Sequence, residues 1–312
     1  MISYIIDVNK WIEFKERVNL SSLEETLKKW AVPASNSEEE KCENAIKMIR
    51  KALNKSEALS KHNIQLIPKG SYHNNTNVRL TSDVDIAVKL TDVFFAQYPE
   101  GKSNKDFNNS SASYTYNQYR SDVDQAIVDL FGAENVEFGD KSIDISSNSY
   151  RVDADVVPCF EHRRYSDDGS YIKGTEFIGR YSGERVKNFP EQHYANGIGK
   201  NLNTSKRYKK VVRILKRLKY KMIDEGYKFD TISSFLIECL VWNVPNSYFN
   251  NPTLTEDVEK CLKYLIEQTS DSDKCSEWGE VSELLYLFRS FRKFTRTEAN
   301  VFLEKSYQYL FK

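Results

Sequence analysis

Between residues 70 and 90 the chain reads Gly-Ser-Tyr, a polar spacer that contains Thr76, and then Asp-Val-Asp-Ile-Ala-Val-Lys-Leu. This pattern predicts a turn, a short helix, a loop and a strand. Strand side chains alternate, so Val84, Ile86, Val88 and Leu90 share one face and Asp83 and Asp85 the other. The apolar face can be buried, which leaves the acids at the start of the strand. Two carboxylates on one face repel each other unless a counter-charge is present, and a divalent cation is the usual one. Upstream, Gly70-Ser71 follows the apolar run Ile64 to Pro68. A Gly-Ser pair that opens a helix suits a phosphate, because glycine lets the backbone approach and the serine adds a hydroxyl. A phosphate cradle beside a metal-binding acid pair points to phosphoryl or nucleotidyl transfer.

A second acid-bearing strand is expected at Tyr150 to Phe160. Asp153, Asp155 and Val157 fall on one of its faces, Val152, Ala154 and Val156 on the other. Laid beside the first strand it supplies a third carboxylate, and alternation alone leaves Asp153 and Asp155 both open. His62, His73, His162 and His193 show no metal-ligand spacing. Ser37 with Glu40 reads as a capping box for a helix that runs to about Ser60, with Cys42, Ala45, Ile46, Ile49 and Leu53 as its apolar stripe. Tyr98 to Ser113 reads as a loop. Tyr116, Tyr119, Val123, Ile127, Leu130 and Phe131 describe an amphipathic helix that ends near Gly132. Pro190, His193, Asn196, Gly197 and Gly199 argue for an irregular segment over 183–203. Thr204 or Ser205 then caps a helix to about Ile223. Its core face is Tyr208, Val211, Val212, Leu215, Leu218 and Met222, and its flank carries Lys209, Arg213 and Lys216. Most of its basic residues read as a solvated face. Another helix begins at Ile232-Ser233-Ser234-Phe235, and Leu254 to Thr269, Trp278 to Phe291 and Thr297 to Leu310 all show helical spacing.

Gly-Ser, the spacer with Thr76 and Asp-x-Asp on a strand together resemble the signature of the polymerase-β-like nucleotidyltransferases. Within that superfamily three features look like the bacterial CD-NTases, the relatives of cyclic GMP-AMP synthase, DncV and oligoadenylate synthetase. They are Gly-Ser-Tyr-x-x-x-Thr, Asp-Val-Val-Pro-Cys-Phe on the second acidic strand, and Val-Arg-Ile-Leu-Lys-Arg on the basic helix. The resemblance covers about residues 37–245. It implies an α+β fold: a polymerase-β-like core with a mixed sheet and a helical C-terminal lobe, bilobal, with the active site in the cleft. It places the third acid at Asp155, so that Asp83, Asp85 and Asp155 are the catalytic and metal-binding residues. It implies two Mg²⁺ ions, with Mn²⁺ able to substitute. Gly70, Ser71, Lys216, Ser233 and Ser234 would grip phosphate, with Phe235 in the place of the family's stacking tyrosine; core packing is the other reading of Phe235. The implied activity joins ATP, GTP, UTP or CTP into a cyclic di- or trinucleotide with release of pyrophosphate. The product would be a second messenger that reaches a downstream effector in anti-phage (CBASS-type) signalling.

The remaining expectations concern organisation and setting. Residues 1–36 read as a peripheral helical segment, 37–182 as the catalytic lobe, and 183–312 as a crossing plus the helical lobe. The 312 residues carry no formal net charge, so no global field draws the chain to nucleic acid or membrane. Nucleic acid is not required, and a monomer is expected. The five cysteines are widely spaced with no Cys-x-x-Cys, as suits reduced thiols in a cytoplasmic protein. The first residues hold too little apolar sequence for a signal peptide, and no apolar run spans a membrane. Asn196, Asn201 and Asn203 are candidates to hydrogen-bond a base edge, Asn196 foremost. Other readings share the same acids: transfer of one nucleotide to a protein, tRNA or small-molecule acceptor, and synthesis of a linear oligonucleotide. A non-catalytic binding module is a further reading, and the intact acids weigh against it.

Overall fold

The computed structural model describes residues 21–33, 36–78, 84–289 and 293–312, without the side chains of 36–39. The chain divides into two compact units. One comprises residues 34–194 and is built on a sheet. The other is helical and comprises 195–312 with the N-terminal segment to Pro33.

The sheet unit begins with helix α2 (Asn36–Lys55), after a helix α1 over residues 21–30 that belongs to the other unit. Because α2 starts at Asn36, Ser37 stands inside the first turn instead of capping it. The edge strand β1 (Ile64–Lys69) leads into a single helical turn, α3 (Gly70–His73). Then come β2 (Val84–Gln97), α4 (Tyr116–Phe131), β3 (Val136–Phe138), β4 (Ile143–Ile145), β5 (Ala154–Tyr165), β6 (Tyr171–Ile178) and β7 (Arg185–Asn188). The sheet order is β1-β2-β5-β4-β3, with β6 and β7 extending from the far half of β5. Among the described residues β2 and β5 alone pair in parallel, and the other ladders are antiparallel.

Alternation decides which side of β2 is core. Val84, Ile86, Val88 and Leu90 are fully buried and pack with Cys42, Ala45, Ile49 and Leu53 of α2 and Tyr119, Val123 and Ile127 of α4. Thr115 caps α4 in a reciprocal box with Gln118, and α4 stops at Gly132 as expected. Pro158 lies inside β5, where a residue without an N–H normally breaks a ladder. Pairing with β4 ends at Val156 and pairing with β6 starts at Phe160, so one side of β5 has no strand partner at Pro158.

Three expectations fail in instructive ways. Residues 183–203 are not irregular: they hold β7 and helix α5 (Pro190–Asn203). Pro190 is the first helical residue, where the missing N–H costs nothing. The chain passes from one unit to the other within α5. Helix α6 (Tyr208–Asp224) starts later than either proposed cap, because Ser205 and Lys206 adopt positive φ of 46° and 64°. Thr204 still serves it, its hydroxyl accepting from Tyr208 N–H at 3.0 Å. The described part of 278–291 is a loop instead of a helix. It is folded by an isolated bridge between Gly279 and Tyr286, with Glu283 at φ 60°. Its apolar spacing misleads because Trp278, Val281 and Leu287 are buried from a hairpin-like turn.

In the helical unit α6 packs with α7 (Ser234–Trp242), α8 (Leu254–Thr269) and α9 (Arg296–Phe311). The expected core face of α6 is buried in full. Segment α1 is not peripheral along its whole length, since Leu27 is fully buried in this core. The Glu24 carboxylate accepts from the N–H groups of Leu254 and Thr255 at the start of α8. Among the described residues no helix is long and apolar enough to cross a membrane.

Candidate active site

Asp85 is the second residue of β2 and Asp155 the second of β5, and the parallel ladder sets them directly side by side. Both lie opposite the face that carries Val84, Ile86 and Val156, so burial of the core side turns them to the other side. The register continues the row: Lys69 on β1 pairs with Asp85, and Asp144 on β4 pairs with Asp155. Asp144 is not among the acids that the sequence analysis singles out. Its signal was the same alternation, between buried Ile143 and Ile145. Asp83 lies outside the described residues.

The structure separates Asp153 from Asp155. Asp153 precedes β5, and its carboxylate accepts the Ser147 N–H while its carbonyl accepts Val84 N–H. It ties a loop to the sheet. Asp155 is the acid in register with Asp85.

Gly70 explains how Asp85 is accommodated. Its φ is +72°, a conformation costly for other residues, and a β-carbon there would fall 1.8 Å from Asp85 Oδ2. The missing side chain is the room the carboxylate occupies. Among the described residues no hydrogen-bond donor reaches that carboxylate. Burial raises its pKa above the usual carboxylate range, and the Lys69 charge works in the opposite direction. A half-buried carboxylate with no donor, beside a second carboxylate, is an all-oxygen set suited to a hard divalent cation such as Mg²⁺ or Mn²⁺. Among the described residues no three His, Cys, Asp or Glu side chains gather about one metal position. The pair fits the group as two of its three expected acids.

Ser71 sits in the single turn of α3. Four residues sum to little macrodipole, so its capacity for phosphate rests on local N–H groups and its hydroxyl. That hydroxyl has no partner among the described residues. The turn is closed by Thr76 N–H to Ser71 carbonyl at 2.8 Å, with Thr76 fully buried.

The other sequence candidates belong to the helical unit. Helices α6 and α7 run antiparallel, as two contacts show: Lys216 Nζ to Glu238 Oε2 at 3.0 Å, and Tyr220 hydroxyl to Ser234 Oγ at 3.1 Å. Lys216 is therefore held in a buried ion pair at 1% exposure. Lys219 follows on the same helix, with its ammonium 5.1 Å from the ring of Tyr220, the residue whose hydroxyl meets Ser234. Sequence reasoning missed it, although the repeat Leu-Lys-Arg-Leu-Lys offers both lysines. The expected solvated face also fails for four residues, since Lys209, Arg213, Lys216 and Lys219 are all buried. Ser233 caps α7, its Oγ accepting Leu236 N–H at 3.0 Å. Phe235 is 37% exposed, with its ring 6.1 Å from Phe294, so it is not core. Asn196 is away from this group. It lines a cavity of about 500 Å³ with Trp242 and Asn243, at the opposite end of α7, and donates to the Val281 carbonyl at 2.9 Å.

A mixed sheet that sets two carboxylates side by side, with a glycine and serine turn against one of them, defines a nucleotidyltransferase core. Comparison with known proteins narrows the class. The family described as cGAS/DncV-like nucleotidyltransferase C-terminal helical domain matches residues 195–311. A cyclic dipyrimidine nucleotide synthase CdnE of Cecembia lonarensis is 47% identical, over 90% of this chain and 95% of its own. A second enzyme of that name, from Legionella pneumophila, is 42% identical over 92% of this chain and 97% of its own. The structure of the Rhodothermus marinus CdnE c-UMP-AMP synthase with Apcpp and Upnpp aligns with a TM-score of 0.81 at 30% identity, covering 91% of this chain and 94% of that one. The chain belongs to the cGAS/DncV-like nucleotidyltransferases, and it is an enzyme of cyclic nucleotide synthesis.

Proposed function

We propose that this enzyme joins two pyrimidine ribonucleoside triphosphates, UTP or CTP, into a cyclic dinucleotide. The observation that carries the chemistry is the in-register pair Asp85 and Asp155, with Gly70 leaving room for the Asp85 carboxylate. The base preference follows the relatives at 47% and 42% identity, both named for cyclic dipyrimidine products.

Asp83, Asp85 and Asp155 hold two divalent cations, Mg²⁺ or Mn²⁺. Bound there, such ions lower the pKa of an attacking ribose hydroxyl and neutralise charge on the triphosphate. The chain's own residues do the rest. Ser71 Oγ and the N–H groups beside it orient phosphate oxygens for in-line attack. Lys219 supplies the cation beside Ser234, and Lys216 positions α7 through Glu238. Ser233 shapes the start of α7 as its cap. Phe235 offers an exposed ring face to a base. The product leaves as a second messenger to a downstream effector in anti-phage signalling, and the enzyme acts as a cytoplasmic monomer.

The test is incubation with four labelled ribonucleoside triphosphates and Mg²⁺ or Mn²⁺, phosphatase treatment, and resolution beside an Asp85→Ala control. A phosphatase-resistant product that forms from UTP, CTP or both without a purine triphosphate, and is missing from the control, is expected. A resistant product that requires ATP or GTP overturns the base assignment. Phosphatase-sensitive linear products overturn cyclisation.

A further inference from the structure

The face that carries Asp85 and Asp155 also carries a cation that the reaction above does not use. Lys69 ends β1 and pairs across the antiparallel ladder with Asp85. Opposed residues in such a ladder project from one face, with β-carbons about 5 Å apart. The Lys69 charge is felt by Asp85 and by Cys159, which lies two alternations along β5 from Asp155. Among the described residues its ammonium makes no ion pair or hydrogen bond. Lys89, on the same face of β2, is engaged instead, at 3.4 Å from Glu191 and 3.9 Å from Glu161.

Position gives this charge a use. Lys69 is one strand from Asp85 and one residue from Gly70-Ser71. Two adjacent carboxylates repel, and a neighbouring cation eases that cost. Once divalent cations match the acids, the strongest anion at this face is the triphosphate. An ammonium on a flexible stem then finds a better partner in a phosphate oxygen than in Asp85.

We propose that Lys69 is a substrate-binding residue: its ammonium balances Asp85 in the nucleotide-free enzyme and binds a phosphate oxygen of the incoming triphosphate. The proposal rests on the nucleotidyltransferase reading of this site.

Lys69→Met keeps the stem and removes the charge, and Lys69→Arg keeps the charge. For Lys69→Met, KM for the preferred triphosphate is expected to rise about tenfold, with kcat changed less than about threefold. A non-hydrolysable UTP analogue should weaken to the same degree. Mn²⁺ binding to the nucleotide-free protein, followed by electron paramagnetic resonance, should tighten severalfold, because a repelling cation is gone. Lys69→Arg should stay within about threefold of wild type in KM. Opposite shifts in metal and nucleotide affinity are not produced by a packing defect. Unchanged analogue binding in Lys69→Met, or Mn²⁺ binding that is unchanged or weaker, overturns the proposal. So does a Lys69→Arg protein as impaired as Lys69→Met. If Lys69→Met lowers Tm, the Arg variant and Mn²⁺ titration of the folded fraction carry the same test. A wild-type protein that makes no cyclic product overturns the underlying reading instead, and the two binding measurements still decide Lys69.

Discussion

The helical and sheet units bury charge to different ends. In the helical unit the buried charges have partners. Lys216 meets Glu238 at 3.0 Å, and Arg207 meets Asp257 at 3.1 Å. Arg213 and Arg217 donate to the Ala31 and Lys29 carbonyls at the end of α1, both at 2.6 Å. Those carbonyls lack helical donors, and a guanidinium there also suits the helix dipole. The sheet unit does the same away from its acids: Glu176 accepts from His162 at 2.6 Å and from Arg185 at 2.8 Å. Asp85 differs. It is pushed toward protonation by burial and has no donor among the described residues. Burial of charge does not by itself mark a site, because paired buried charge holds the fold. Burial without a hydrogen-bond donor, next to a second acid, marks where a cation and substrate belong.

The sharpest way to break this contrast is to remove the acids. Asp85→Ala or Asp155→Ala should cut product formation by on the order of 10³-fold or more, with the fold intact by circular dichroism. Asp153→Ala should cost much less activity, because its carboxylate holds a loop. If Asp153→Ala loses as much activity as Asp155→Ala while keeping its Tm, the register assignment is wrong.

Gly70→Ala comes next. The substitution places a methyl where Asp85 Oδ2 lies and demands φ of +72°. Strain of about 1–3 kcal/mol is expected from the backbone alone. Displacement of Asp85 should add a loss of metal-dependent activity, read as a higher Mg²⁺ requirement. A Gly70→Ala enzyme with wild-type Mg²⁺ dependence would mean that Asp85 does not need this space.

In the helical unit the matching test is Lys216. Removing one partner of a buried pair leaves the other uncompensated, so Lys216→Met should destabilise by about 3–5 kcal/mol. Glu238→Leu should cost a comparable amount, and the double change Lys216→Met with Glu238→Leu should recover most of the loss. Chemical denaturation of all the variants closes the cycle. If Lys216→Met leaves stability untouched and raises KM for nucleotide instead, Lys216 is a phosphate ligand as the resemblance implied.

How much of this was legible in the sequence divides along the same line. Local period was enough for Val84, Ile86, Val88 and Leu90, for the α2 stripe, and for acids placed opposite them. It was not enough where the deciding partner is remote or the local residues mislead. Lys216 carried a phosphate role only through the resemblance, and its ion-pair partner Glu238 stands 22 residues away on another helix. Helix α5 was hidden by Pro190, Gly197 and Gly199. The proline occupies the first position, and a β-carbon at either glycine would meet nothing within 4 Å. Neither glycine is required there, and each costs a helix only about 1 kcal/mol, which tertiary packing overrides. Alternation left Asp153 and Asp155 both open and the resemblance named Asp155; what sets them apart in the structure is where β5 begins, a boundary that alternation cannot fix.

The smallest expected effect concerns stability and pH. Asp85 has its folded pKa raised by burial, so between its unfolded and folded values the native state binds more protons than the unfolded state. Stability from this group is therefore largest below both values and falls as pH rises through that window. Ionising that buried carboxylate is a penalty the free enzyme carries. Asp85→Asn should abolish synthesis yet raise Tm at pH 7 by on the order of 2 °C, the shift that about 1 kcal/mol brings in a domain of this size. The gain should shrink as pH drops toward the ordinary carboxylate range. Mg²⁺ should raise the Tm of wild type and close the gap, since a ligand that binds only the native state stabilises it. Asp85→Asn should not respond in the same way. A lower Tm for Asp85→Asn at pH 7 without metal would show that Asp85 is a satisfied structural acid like Glu176, and the contrast between the two units would fail at the position that defines it.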